Sequence, residues 1–147
     1  MAGLVEALPA LLPLVDCLTP NLSEAAALLH AGQAVTEDEM RRQGERLIAL
    51  GTRAVLMKGG HLAGAESVDW LVTPAGAHRF AAPRSPSHNL HGAGCTLSSA
   101  IAALIVRGEG LVDAVRRAKV FLGRAIEAGG GVRLGAGRGP LAQLPLL

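Results

Sequence analysis

The chain has 147 residues, a formal net charge of +2, half of its residues apolar and only three aromatic side chains, Trp70, Phe80 and Phe121. That length suits one domain with a core built from Leu, Val, Ile and Ala. The scarcity of aromatics excludes a stacking platform for bases, and the dispersed arginines form no stripe that could track a nucleic-acid backbone.

In chain order, residues 2–12 have the spacing of a short helix ending at Pro13, and residues 14–18 read as a short buried strand broken by Thr19-Pro20-Asn21. Residues 23–30 return to helical spacing, with Gly32 as the expected stop. Thr36 and Glu39 form a capping box opening an amphipathic helix to about Leu50, closed by Gly51. Residues 53–57 read as a second buried strand, ending in a Lys58-Gly59-Gly60-His61 loop. Residues 67–73 and 78–82, joined by Pro74-Ala75-Gly76, predict a β-hairpin, and residues 83–90 a proline-punctuated loop. Helices are expected over residues 93–107 and 111–128, then an irregular tail with glycines at 129, 130, 131, 135, 137 and 139. Strands alternating with helices predict an α/β layered domain with a mostly parallel sheet, one domain over residues 1–147.

No stretch is uncharged for the length needed to span a bilayer, and no Lys or Arg precedes Arg41 as a signal peptide requires. Cys17 and Cys95 form no C-x-x-C pair, which disfavours a disulfide framework or zinc ribbon. A soluble, cytoplasmic protein without a membrane partner is therefore expected.

Ligands of open α/β sheets sit beyond the carboxyl ends of the strands, so the residues just past each strand are the candidates. Asn21 and Glu24 supply an oxygen pair that suits Mg²⁺ or its waters, although capping of a helix start alone would explain both residue types and, for this motif by itself, is the favoured role. Lys58, one of only two lysines, is either a phosphate contact or a solvated strand end. In His91-Gly92-Ala93-Gly94-Cys95-Thr96-Leu97-Ser98 a glycine turn opens a helix, whose free N–H groups and dipole suit an anion and favour a thiolate. The other reading of Cys95 is a small buried side chain behind a tight turn. His88, His91 and Cys95 offer at most three metal ligands with no local fourth. His61 is either a phosphate contact or a turn residue. Together the three segments look like a phosphoryl-transfer set, in which positioning and charge neutralisation carry the reaction. Neither a P-loop nor a dinucleotide fingerprint is present.

Thr19-Pro20-Asn21 with Glu24, Lys58-Gly59-Gly60-His61 and the run from His91 to Ser98 resemble, in order and spacing, the hydroxymethylpyrimidine/phosphomethylpyrimidine kinases, members of the ribokinase-like superfamily. The resemblance extends to the glycine-rich Gly135 to Leu141 ending. It implies a three-layer α/β/α sandwich and ATP- and Mg²⁺-dependent phosphorylation of hydroxymethylpyrimidine and then its monophosphate, in thiamine biosynthesis. By position, Asn21 and Glu24 look like the N-x-x-E motif that helps hold Mg²⁺ through water, and Lys58 like the lysine contacting the nucleotide phosphates. Gly92, Ala93 and Gly94 look like the anion hole, and Cys95 like the catalytic residue that activates the acceptor hydroxyl.

The chain departs from the family's N-T-H-G-T-G-C at Leu90 and Ala93, and it lacks the front G-S-D-S-x-G-G and D-P-V-M segments. It resembles the C-terminal portion of such a kinase, without the N-terminal strands. The strand over residues 14–18 would then have an exposed edge, predicting a homo-oligomer or pairing with a separate N-terminal half. A small pyrimidine is the implied substrate. A catalytically inactive nucleotide-binding or assembly remnant, and a pyridoxal kinase relative, are the alternatives.

Overall fold

The structure, a computed structural model, describes residues 10–60, 62–87, 89–131 and 139–143. His61, His88, the glycines at 135 and 137, and the expected helix before residue 10 lie outside them. Two compact units, Met1–Ala81 and Ala82–Leu147, are described here in turn.

In the first unit, α1 (Leu22–Leu28) and α2 (Glu37–Ile48) pack on a three-stranded sheet in the order β1 (Val55–Lys58), β2 (Glu66–Thr73), β3 (Gly76–Pro83). β1 and β2 are antiparallel, with Val55 opposite Val72 and Lys58 opposite Asp69. The hairpin expected from Pro74-Ala75-Gly76 is β2–β3.

The mostly parallel sheet is not what the described residues form. Residues 14–18 are not a strand either: Leu14 closes a 3₁₀ turn (Leu12–Leu14) and is exposed. The chain then runs beside β1 in the parallel sense, making only the isolated bridges Leu18 to Val55 and Asn21 to Lys58. Leu18 N–H donates to Ala54 O at 2.9 Å, Leu56 N–H to Leu18 O at 2.7 Å and Lys58 N–H to Pro20 O at 2.9 Å. The rung missing from this parallel ladder is the one residue 20 would donate, and proline has no N–H.

The α2 capping box is complete: Thr36 Oγ1 accepts from Glu39 N–H at 3.2 Å, and Glu39 Oε2 accepts from Thr36 N–H at 3.1 Å. Met40, Gln43, Gly44 and Leu47 at i, i+3, i+4, i+7 form its buried stripe. Met40 and Leu47 join Leu22, Ala25, Ala34, Val55 and Met57 in the core. Glu37 is held by a bidentate Arg79 from β3 and by Trp70 Nε1–H from β2 at 2.9 Å, tying the hairpin to the start of α2. α1 does not run to Gly32. It ends at Leu28, where His30 takes the left-handed conformation (φ +47°) and Ala31 N–H reaches back to Ala26 O at 2.9 Å. A histidine thus fills the place usually given to glycine.

In the second unit, α3 (Ala93–Val106) packs against α4 (Leu111–Gly129). Leu97 and Ile101 of α3 and Ala114, Val115, Ala118 and Ala125 of α4 are buried. Residues 139–143 form an extended strap that bridges His91 through Pro140 and donates Ala142 N–H to Ala125 O at 3.1 Å.

Candidate functional site

In the first unit the Asn21–Lys58 bridge brings three candidates to one corner, at the carboxyl end of β1 and the first turn of α1. Asn21 is the N-cap: its Oδ1 accepts from Glu24 N–H at 2.8 Å and from Ser23 Oγ at 2.8 Å. Glu24 Oε2 returns the contact, accepting from Asn21 N–H at 2.7 Å. The capping role is therefore real, and it uses one carboxylate oxygen of an exposed side chain. The second oxygen makes no hydrogen bond to a described residue, so Glu24 can cap the helix and still face a cation's water shell.

Among the described residues no three His, Cys, Asp or Glu side chains cluster as a metal cage. The single carboxylate oxygen that Glu24 leaves free is a donor of the kind Mg²⁺ accepts, an ion that dehydrates reluctantly and is held by one or two carboxylates plus phosphate oxygens.

Lys58 ends β1 rather than starting the loop, with its backbone fixed on both sides, by Pro20 O and by the Asp69 pairing. Its ammonium makes no ion pair with a described residue. The turn after it is tightly determined. Gly59 N–H is shared between Val68 O at 2.9 Å and Asp69 Oδ1 at 3.0 Å. A Cβ on Gly59 would stand 2.2 Å from Val68 O, so only glycine fits. Asp69, a buried carboxylate in the apolar middle of β2, is a residue the sequence reading did not single out; its signal was the single charge inside Val-Asp-Trp-Leu-Val.

In the second unit, Gly92 adopts φ +83°, a left-handed turn that opens α3 without any side-chain cap. Ala93 N–H donates to Leu90 O at 3.2 Å and Thr96 N–H to Gly92 O at 2.8 Å. Gly94 and Cys95 N–H have no partner among the described residues, leaving two of the orphan donors of a helix start. Cys95 is exposed at the third helical position, not packed in the core. Cys17 is its opposite: burial pushes its thiol up to about 11, and its Sγ–H points to Leu18 O at 3.8 Å. A surface groove of about 470 Å³ between α2 and the β2–β3 turn, lined by Arg41, Glu45 and Val72 among others, contains none of these candidates.

Residues 2–142 match the family model described as phosphomethylpyrimidine kinase. The chain is 52% identical over 131 residues to the hydroxymethylpyrimidine/phosphomethylpyrimidine kinase of Salmonella typhimurium, covering 89% of this chain and 49% of that protein. It is similar to the pyridoxal kinase of Staphylococcus aureus in complex with AMP-PCP, with a TM-score of 0.92 at 29% identity over 97% of this chain and 52% of that one. The Bacillus subtilis pyridoxal kinase in its ADP complex gives a TM-score of 0.89 at 32% identity, over 95% of this chain and 54% of that one. The chain spans about half the length of the curated relatives it matches. No helix among the described residues is long and apolar enough to cross a membrane. The motif order, the α/β architecture and the match over residues 2–142 agree: the chain belongs to the phosphomethylpyrimidine kinase family.

Proposed function

We propose that this chain carries the nucleotide- and phosphate-receiving part of a hydroxymethylpyrimidine/phosphomethylpyrimidine kinase, a cytoplasmic enzyme of thiamine biosynthesis. The observation that carries the reading is the start of α3, where a left-handed glycine presents unpartnered amides beside an exposed cysteine. Such donors stabilise negative charge on a transferring phosphoryl group because they are fixed before it arrives. Gly92, Ala93 and Gly94 supply that turn, with the Gly94 and Cys95 amides as donors. Cys95 takes the proton of the acceptor hydroxyl as it attacks the γ-phosphorus of ATP and ADP departs. Lys58 neutralises the nucleotide phosphates; Glu24 holds the Mg²⁺ water shell through its second carboxylate oxygen, and Asn21, whose Oδ1 already accepts two hydrogen bonds, fixes that carboxylate in place. The ion's part is to offset charge on the phosphates.

In the whole protein we take both units to belong to one ribokinase-like domain, a three-layer α/β/α sandwich whose remaining strands lie in an N-terminal part. The Cys17 N–H and C=O, which have no partner among the described residues, offer an edge for that part or for a second copy. Pyridoxal kinase activity is the second reading, favoured by the structural neighbours, and parallel assays with the two acceptors separate them.

Calorimetric titration with ATP and Mg²⁺ tests the nucleotide half directly. Lys58→Ala should weaken binding about ten- to a hundredfold, the equivalent of a charged hydrogen bond. An unchanged dissociation constant would contradict the assignment. Glu24→Gln separates capping from cation binding, since glutamine serves a capping box as well as glutamate. Its melting temperature should match the parent's, while the Mg²⁺ concentration needed for nucleotide binding rises. A variant with the parent's Mg²⁺ dependence would leave Glu24 as a cap alone.

A further inference from the structure

We infer that Asn89 is a positioning residue for the phosphate-receiving turn, clamping the strap of residues 139–143 to the loop that leads into α3; this rests on the reading of that turn given above. Asn89 stands three residues before Gly92 and is half-buried. Its Nδ2–H donates to Gly129 O, the last carbonyl of α4, at 2.6 Å, and its Oδ1 accepts from Gly139 N–H at 3.0 Å. Its own backbone N–H donates to Ser87 Oγ at 3.1 Å. One carboxamide therefore joins three segments, and it needs both a donor and an acceptor, which aspartate and leucine lack.

The strap is also fastened on the far side of the turn. Pro140 bridges His91, and Gln143 Nε2–H donates to Thr96 Oγ1 at 2.5 Å. Residues 90–95 are thus bracketed by two side-chain contacts to the same five-residue strap. The turn has no side-chain cap of its own, so its amides take their direction from this bracket. Gly139 is fitted to the clasp: a Cβ there would stand 2.4 Å from Asn89 Oδ1. None of these contacts lies within a local motif, since Asn89 is 40 and 50 residues from its two partners.

The test compares Asn89→Ala, Asn89→Asp and Gln143→Ala with the parent chain, by amide hydrogen exchange and by calorimetric titration with ADP. Asn89→Ala removes the side-chain hydrogen bonds to Gly129 and Gly139, and exchange over residues 90–97 should quicken about tenfold or more while residues 37–48 are unchanged. Asn89→Asp keeps the acceptor but sets an oxygen against Gly129 O, and should behave like the alanine variant. Gln143→Ala cuts only the outer fastening and should give a smaller change in the same segment, which keeps the test usable if the Asn89 variants fail to fold. Weaker ADP binding by about tenfold, at a melting temperature within a few degrees of the parent's, supports positioning. Unchanged exchange over residues 90–97 in the variants overturns the inference, as does unchanged ADP affinity in variants whose turn has loosened. Absence of ADP binding by the parent chain defeats the functional reading instead, and the exchange comparison still decides whether Asn89 sets the turn.

Discussion

Replacing Cys95 with alanine is expected to slow ADP formation from Mg-ATP in the presence of hydroxymethylpyrimidine by about 10²–10⁴-fold, the range a positioned general base contributes. The substitution is mild in every other respect. Cys95 is exposed, so shortening it opens no cavity, and alanine is the most favourable residue in a helix. The Gly94 and Cys95 amides belong to the backbone and survive, so the dissociation constant for ATP should change by less than about twofold. Cys17 offers no substitute, because burial holds it as a thiol well above neutral pH. Single-turnover measurement of ADP release, paired with calorimetry on the same preparation, checks both halves. An unaltered rate removes Cys95 from the reaction. A lost rate with equally lost ATP affinity would move its role to binding.

How much of this was legible in the sequence follows from how local each contact is. The Thr36–Glu39 box and the Asn21–Glu24 pair close within four residues, and both appear in the structure with each partner bonded to the other's backbone. The glycine turn before Cys95 was equally readable, since φ +83° at Gly92 is a conformation that glycine tolerates at little cost. The end of α1 was not, because it depends on His30 taking a left-handed conformation that few non-glycine residues adopt. The strand over residues 14–18 is reduced to isolated bridges because its start is taken up by the 3₁₀ turn Leu12–Leu14, which its hydrophobic spacing does not reveal. Pro20, the break legible in the sequence, removes the rung that would have continued the ladder. The role of Asp69, and the contacts of Asn89 within its motif, were not legible because their partners lie 10 to 50 residues away, and no short window of the sequence contains both ends of those contacts.

Gly59 and Gly60 stand side by side in the motif, yet the structure separates their roles sharply, and alanine at each is expected to show it. At Gly59 a Cβ would meet Val68 O at 2.2 Å and Met40 Cε at 2.7 Å, and Met40 is wholly buried. The methionine can bend away; the carbonyl cannot, because it is part of β2 and accepts Gly59 N–H. Relieving the clash must pull the turn off β2, breaking that hydrogen bond and the one to Asp69. Overpacking and the lost hydrogen bonds together should destabilise the fold by about 3–5 kcal/mol. For a chain of this length that lowers the melting temperature by roughly 10 °C or more. At Gly60 a Cβ meets, among the described residues, only Ser67 Oγ at 3.8 Å, an ordinary contact, so Gly60→Ala should stay within a few degrees of the parent. Thermal denaturation of the two variants side by side is the measurement, and equal melting temperatures would show that the β1–β2 turn has slack the geometry denies. The same displacement would carry Lys58 with it, so any Gly59→Ala protein that folds should also bind ATP more weakly than Gly60→Ala.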